Sequence, residues 1–265
     1  MPEGHTIHRI AQDHTKFFGS QKLIVTSPQG RFETEADLLT GRKLIDVTAR
    51  GKHLFYNWSG RKNKRVHIHL GLYGKFRVHK NPAPEPRGAV RVRMIGQEKA
   101  FDLNGPTRCE ILDDEGYEKL LDRLGEDPLN KDADIDKVWQ RIHRSRAAMG
   151  TLLLNQSVIA GIGNVYRAEI LFLLGIHPER PGNTLAREEF DELWQLTIRL
   201  LKIGMKYNRI ITVEREHVDK PLSKLPIAER VLCYKKKKCM TCGTRIRQWE
   251  LGSRKMYACE KCQKK

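Results

Sequence analysis

The sequence predicts an α+β multidomain protein: an N-terminal antiparallel β-sandwich or barrel with flanking helices, a helical domain, and a C-terminal β-hairpin stapled by cysteines. Three observations carry this. Short runs with alternating apolar residues fill positions 21–118. Apolar residues at helical spacing dominate from 133 to 228. Five of the six cysteines lie in residues 231–265. A chain of 265 residues is long enough for one large or two modest cores.

The first element is helical. "GHTIHRIAQDHTKFFG" sets Ile7, Ile10, Ala11, His14 and Phe18 on one face, and Gly19 stops it. Strand signals follow: "KHLFYNW" and "RVHIHLGLYGKFRVH" flank the turn-like "SGRKNK", and "VRVRMI" and "CEIL" come after. "LDRLGEDPLNKD" (121–132) is a polar connection containing Pro and Gly, so a catalytic domain is expected over 1–124 and a helical one over 133–228. "DKVWQRIHRS", "AAMGTLLLN", "NVYRAEILFLLG" and "EEFDELWQLTIRLLKIGMK" read as its helices. The remainder, 229–265, is too short and basic to build an apolar core and needs a staple.

The formal net charge of +17 speaks about partners: it favours a polyanion, either nucleic acid or an anionic membrane. No run of eighteen apolar residues exists, and the N-terminus lacks the basic-then-apolar pattern of a signal peptide. A soluble, cytoplasmic protein with no membrane partner is therefore expected. Residues 231–265 hold eleven Lys/Arg and two Glu, so +9 of the +17 sits there with the cysteines. In a reducing compartment that clustering points to a metal before disulfides.

Cys239, Cys242, Cys259 and Cys262 form C-x2-C-x16-C-x2-C. Two thiolate pairs on tight turns can close a tetrahedron around a structural zinc with no open position for catalysis, and the metal then supplies folding energy. Cys233 is a spare thiol, and Cys109 on a predicted strand reads as a core thiol. Between the pairs, "GTRIRQWELGSRKMYA" predicts a hairpin turning at Leu251-Gly252, with Arg254 and Lys255 near its tip. Such a basic ribbon either enters a nucleic-acid groove or is a solvated charged turn.

"NQSVIAGIGNVYRAEILFLLGIHP" predicts a helix ending before Asn155, a turn with Gly161 and Gly163, and a second helix from Asn164 to Gly175. Amides at a helix start can hold phosphate, with Asn164 capping the helix and still reaching an oxygen. A plain helical hairpin packed through glycine reads equally well. Lys52 lies on or entering a strand, where lysine usually faces solvent. His67 and His69 alternate along one strand and resemble a metal pair, but without a third ligand nearby they read as solvent-facing or hydrogen-bonded. Leu72 and Tyr73, between the glycines of "GLYG", fit either core packing or a wedge between bases. The start, "MPEGHTIHRI", is by itself an ordinary beginning. Removal of Met1 would nonetheless leave the secondary amine of Pro2 first in the chain, with the Glu3 carboxylate one residue away.

Taken jointly, "PEG", "RGKHLF", "HLGLYG", "GIGN" and "SRKMYACEKCQ" resemble the formamidopyrimidine-DNA glycosylase/endonuclease VIII family of base-excision repair enzymes. "PEGHTIHR", "RGKHLF" and "HLGLYGKF" are most similar to its actinobacterial endonuclease VIII branch. The resemblance implies a β-sandwich, a helix–two-turn–helix domain and a zinc finger. It implies a bifunctional DNA glycosylase/AP lyase whose Pro2 nitrogen attacks C1′ of the damaged nucleotide. It assigns Glu3 to proton transfer at the sugar, Lys52 to proton donation in β-elimination and Arg254 to δ-elimination. With a pKa above about 12, Arg254 is expected mainly to grip the phosphate beside the lesion. Asn164, with Gly161 and Gly163, is carried over as a DNA-phosphate ligand, and Leu72 and Tyr73 as the void-filling loop. The implied partner is double-stranded DNA with damaged bases or abasic sites, bound by a monomer.

Two departures bear on the lesion. Thr6 stands where the family often has a second glutamate, and "FDLNGPTRCEIL" with Arg108 stands where the oxidised-purine branch carries "Asp-Pro-Arg-Arg-Phe". With "GLYG" present, oxidised pyrimidines are the expected substrates. The alternatives are an oxidised-purine glycosylase and a non-catalytic zinc protein that binds damaged DNA.

Overall fold

The computed structural model describes residues 2–60 and 64–264. Part of the predicted "SGRKNK" turn, residues 61–63, and Met1 lie outside that range. Two compact units divide the chain: Met1–Glu3 with Ile7–Arg123, and Gly4–Thr6 with Leu124–Lys265. Among the described residues no helix is long and apolar enough to cross a membrane.

The first unit is a sandwich rather than a closed barrel. Helix α1 (Gly4–Phe18) leads into β1 (Ile24–Thr26), α2 (Glu33–Leu39), β2 (Leu44–Arg50), β3 (His53–Trp58), β4 (Lys64–His69), β5 (Lys75–Lys80), β6 (Val90–Ile95), β7 (Lys99–Asn104), β8 (Arg108–Leu112) and α3 (Asp114–Asp122). The strands form two antiparallel four-stranded sheets, ordered β1-β6-β7-β5 and β2-β3-β4-β8. Val92, Met94 and Phe101 from one sheet meet Leu54, Tyr56 and Ile68 from the other in one core, with Ile7, Ala11 and Phe18 of α1. His14 continues that apolar stripe: its Nδ1 lies 2.7 Å from the Tyr56 hydroxyl and its ring stacks on Phe101.

Two helices interrupt the stretch read as strands. α2 is only seven residues long, too short to express a helical period, and it is fixed by burying Ala36 and Leu39. α3 begins where Asp113 accepts from the Gly116 N–H at 2.8 Å, and its last two residues occupy the start of the expected linker.

In the second unit, α4 (Ile135–His143), α5 (Met149–Leu154), α6 (Asn164–Leu173) and α7 (Arg187–Tyr207) follow the predicted helices. Asp134 caps α4 by accepting from Lys137 N. Val138, Leu153, Ile162, Tyr166, Ile170, Phe190, Trp194 and Leu201 form the core. The same unit contains the hairpin β9 (Arg247–Glu250) and β10 (Lys255–Ala258). Gly252 and Ser253 have φ of 62° and 59°, and Leu251 N donates to Arg254 O at 2.9 Å. Positive φ at both central residues makes the two-residue turn whose twist suits a hairpin.

Candidate active site and metal centre

In the first unit Pro2, Ile7, Lys52, His69, Leu70 and Gly71 line one small cleft of about 20 Å³. Lys52 is in neither strand. Arg50 and His53 are paired, so Gly51-Lys52 is the two-residue corner of the β2–β3 hairpin, and Gly51 takes the positive φ of 57° that such a corner requires. This corner buries the lysine, 8% exposed, where sequence alone favours solvent. Glu3 is 2% exposed at the N-cap position of α1, yet its side chain makes no capping bond. The helix begins two residues after Pro2.

Beside this cleft lies a histidine network that sequence reading missed, because His53 sits fourteen and sixteen residues before its partners. His53 Nδ1 is 2.9 Å from His67 Nε2, and His67 Nδ1 is 3.0 Å from Glu110 Oε1. Cross-strand pairing of His53 with His69 brings those rings to 4.8 Å. His67 is buried and hydrogen-bonded rather than solvent-facing. Burial, then His69 and His67, pushes His53 down to about 3; burial likewise lowers His67 and His69, with Glu110 opposing the effect at His67. Leu72 and Tyr73 stand on the β4–β5 turn, 49% and 81% exposed, so this loop is not core packing.

In the second unit the turn between α5 and α6 departs from the phosphate-cradle reading. Gly161 N donates to Gln156 Oε1 at 3.0 Å, and Gly161 O accepts from Gly4 N at 2.8 Å. A Cβ on Gly4 would come within 3.0 Å of the Gly161 Cα, so the two backbones touch and Gly161 has no N–H left for a phosphate. Gln156 was not anticipated. Its Nε2 also bonds Leu154 O and Ile162 O, which holds the turn shut. Gly163, not Asn164, is the N-cap of α6. The Asn164 amide instead donates to Lys255 O at 3.0 Å. Arg254 is exposed at the hairpin tip, beside that Lys255 carbonyl.

Cys239, Cys242, Cys259 and Cys262 offer four Sγ atoms within 4.8 Å of one another, the one such metal-ligand group among the described residues. The Cys242–Cys259 and Cys239–Cys262 separations are 3.4 and 3.8 Å. Thiolates at zinc–sulfur distance on a tetrahedron stand about 3.8 Å apart, so the donor set fits zinc. Burial pushes the Cys262 thiol up to about 12, and a bound cation would release that proton. Cys233 is no ligand: it is buried and its Sγ lies 3.4 Å from Tyr257 O. Cys109 is partly buried against the sandwich core.

With this geometry in place, the similarities are coherent. The Formamidopyrimidine-DNA glycosylase N-terminal domain matches residues 1–108, and the Formamidopyrimidine-DNA glycosylase H2TH domain matches residues 124–215. The chain belongs to the formamidopyrimidine-DNA glycosylase family, the DNA glycosylases of base excision repair. Within it, the chain is 45% identical to Endonuclease 8 1 of Mycobacterium tuberculosis over 99% of its own length and 100% of that protein's. It is 27% identical to the formamidopyrimidine-DNA glycosylase of Pasteurella multocida over 100% and 99% of the two chains. The Lactococcus lactis formamidopyrimidine-DNA glycosylase, solved with DNA containing N7-benzyl-Fapy-dG, shares the fold, with a TM-score of 0.81, 24% identity and complete coverage of both chains.

Proposed function

We propose that this chain is a bifunctional DNA glycosylase/AP lyase that removes oxidised bases, preferentially pyrimidines, from double-stranded DNA and nicks the strand by β,δ-elimination. The observation that carries the reading is the shared cleft of Pro2 and Lys52, with Glu3 buried next to the nucleophile. After Met1 is removed, the Pro2 nitrogen attacks C1′, and the base leaves with the electron pair of its C1′ bond and takes up a proton. The nitrogen then loses its own proton, and its lone pair expels O4′ to leave a ring-opened iminium. Glu3 transfers the proton that the opening sugar needs. The iminium acidifies C2′; loss of that proton breaks the C3′–O bond, and the 3′ phosphate leaves with the electron pair. Loss of the C4′ proton then breaks the C5′–O bond and releases the 5′ phosphate. Lys52, in the cleft with Pro2, is the proton donor of the first elimination.

Arg254 and Asn164 hold phosphates flanking the lesion, and Leu72 and Tyr73 fill the gap in the duplex when the base swings out. Zinc on Cys239, Cys242, Cys259 and Cys262 would cross-link the segment that presents Arg254; its contribution is to folding, with no open position for catalysis. The preference for pyrimidines rests on the β7–β8 connection. It is a short turn, Gly105–Thr107, with no aromatic wedge, while the exposed Tyr73 loop is present. Single-turnover excision of thymine glycol and of 8-oxoguanine from matched duplexes tests this. Faster release of thymine glycol is expected; faster release of 8-oxoguanine overturns the preference.

A further inference from the structure

Arg167 is the largest unexplained charge in the second unit. It sits on α6 with no exposed surface, between the buried residues Tyr166 and Ala168. Burying a guanidinium costs several kcal/mol unless hydrogen bonds replace its water. Here Nη1 donates to Gly150 O at 2.9 Å and Leu251 O at 3.0 Å, and Nη2 donates to Arg254 O at 3.2 Å and Lys255 O at 3.4 Å. Three of these four carbonyls belong to the hairpin, two in its turn and one at the start of β10, and one of them is that of Arg254 itself.

Independent contacts seat the turn on the same helices. A Cβ on Gly150 would meet Leu251 Cδ2 at 2.8 Å, and one on Gly252 would meet Thr151 Oγ1 at 3.3 Å. Asn164, one turn before Arg167 on α6, donates to Lys255 O. A two-residue turn at the end of a four-residue ribbon would otherwise be among the first parts of the unit to open. The Arg254 side chain is exposed, so the direction in which it leaves the turn is set by its backbone.

We infer that Arg167 is the positioning residue for Arg254: it fixes the carbonyls on either side of the hairpin tip and so aims the Arg254 guanidinium at the phosphate released in the second elimination. This rests on the proposed role of Arg254. Lysine at 167 carries one donor centre instead of a planar fork and cannot hold two pairs of carbonyls.

The test follows β- and δ-products from DNA with a pre-formed abasic site, using zinc-loaded full chain. Arg254→Ala is measured first; a normal δ-to-β ratio there refutes the role of Arg254 and leaves Arg167 without a target. If that ratio falls, Arg167→Met is expected to lower it by about tenfold or more, since misplacement near 1 Å costs up to about 100-fold. The borohydride-trapped adduct should form at nearly the wild-type rate. Arg167→Lys should fall between, and it serves alone if Arg167→Met does not fold. In the double variant the two losses should not multiply. A wild-type product ratio in the folded Arg167 variants, or equal loss of trapping and of δ-product, overturns the inference and leaves Arg167 a purely structural residue.

Discussion

Glu169 shows how a buried carboxylate connects helix to metal centre. It is fully buried on α6, and its Oε1 accepts from Cys233 N at 2.8 Å and Tyr234 N at 2.6 Å. Oε2 accepts from Leu232 N at 2.7 Å and from the Thr212 hydroxyl. Residues 232–234 lead into Cys239, the first of the four clustered cysteines. Glu169→Gln keeps the shape but turns one acceptor into a donor. If the amide faces the Thr212 side, the hydroxyl can rotate, yet Leu232 N–H is orphaned, at about 1–3 kcal/mol. The remaining bonds lose their charge assistance, about another 1 kcal/mol together. A loss near 3 kcal/mol corresponds to roughly 6–12 °C in Tm for a chain of this size. The assay is thermal unfolding of zinc-loaded protein with zinc transfer to a colorimetric chelator. Lower Tm and faster transfer are expected. Wild-type values of both would refute the idea that this carboxylate ties the zinc segment to α6.

Acid should destabilise the protein. Burial lowers His14 to about 3 and His5 to about 4 from 6.5, so their stabilising contribution is present above pH 6.5 and lost as pH falls towards those values. Each costs about 2 kcal/mol at pH 5, and a Tm unchanged from about pH 7.5 to 5 would contradict the assignment. Metal analysis should find one zinc per chain, and chelation should abolish DNA binding measured by fluorescence anisotropy; a metal-free chain that still binds would refute the cross-linking role. Tyr73→Ala should leave Tm within about 1 °C, because the side chain is exposed, yet lower thymine glycol excision at least about fivefold, the lower end of one lost base stack. Unchanged excision would remove Tyr73 from the gap-filling role.

The readable parts of this molecule are those written in local pattern. The stripe of α1, the alternation of β3 and β4 and the paired cysteines each show within a window of one element or one turn. The resemblance in "PEG", "RGKHLF" and "HLGLYG" pointed to Pro2, Glu3, Lys52 and the exposed Tyr73 loop. What stayed hidden depends on distant backbone. Arg167 serves carbonyls 84 to 88 residues away and Glu169 serves amides 63 to 65 residues away, so neither leaves a local mark. The Gly161 carbonyl likewise goes to the distant Gly4 N–H, although its own N–H is taken by the nearby Gln156 side chain. α2 and α3 were missed for the opposite reason: they are so short that packing and a single Asp113 cap decide them.

The central claim is a carbon–nitrogen bond between the mature terminus and deoxyribose. Borohydride reduction of the protein with abasic-site DNA, followed by the mass of the N-terminal peptide, measures it directly. A sugar adduct on Pro2, in a chain shown by mass to have lost Met1, is the predicted result. Base release by the same zinc-loaded protein without any reducible cross-link, or a cross-link mapped to Lys52, would contradict the account.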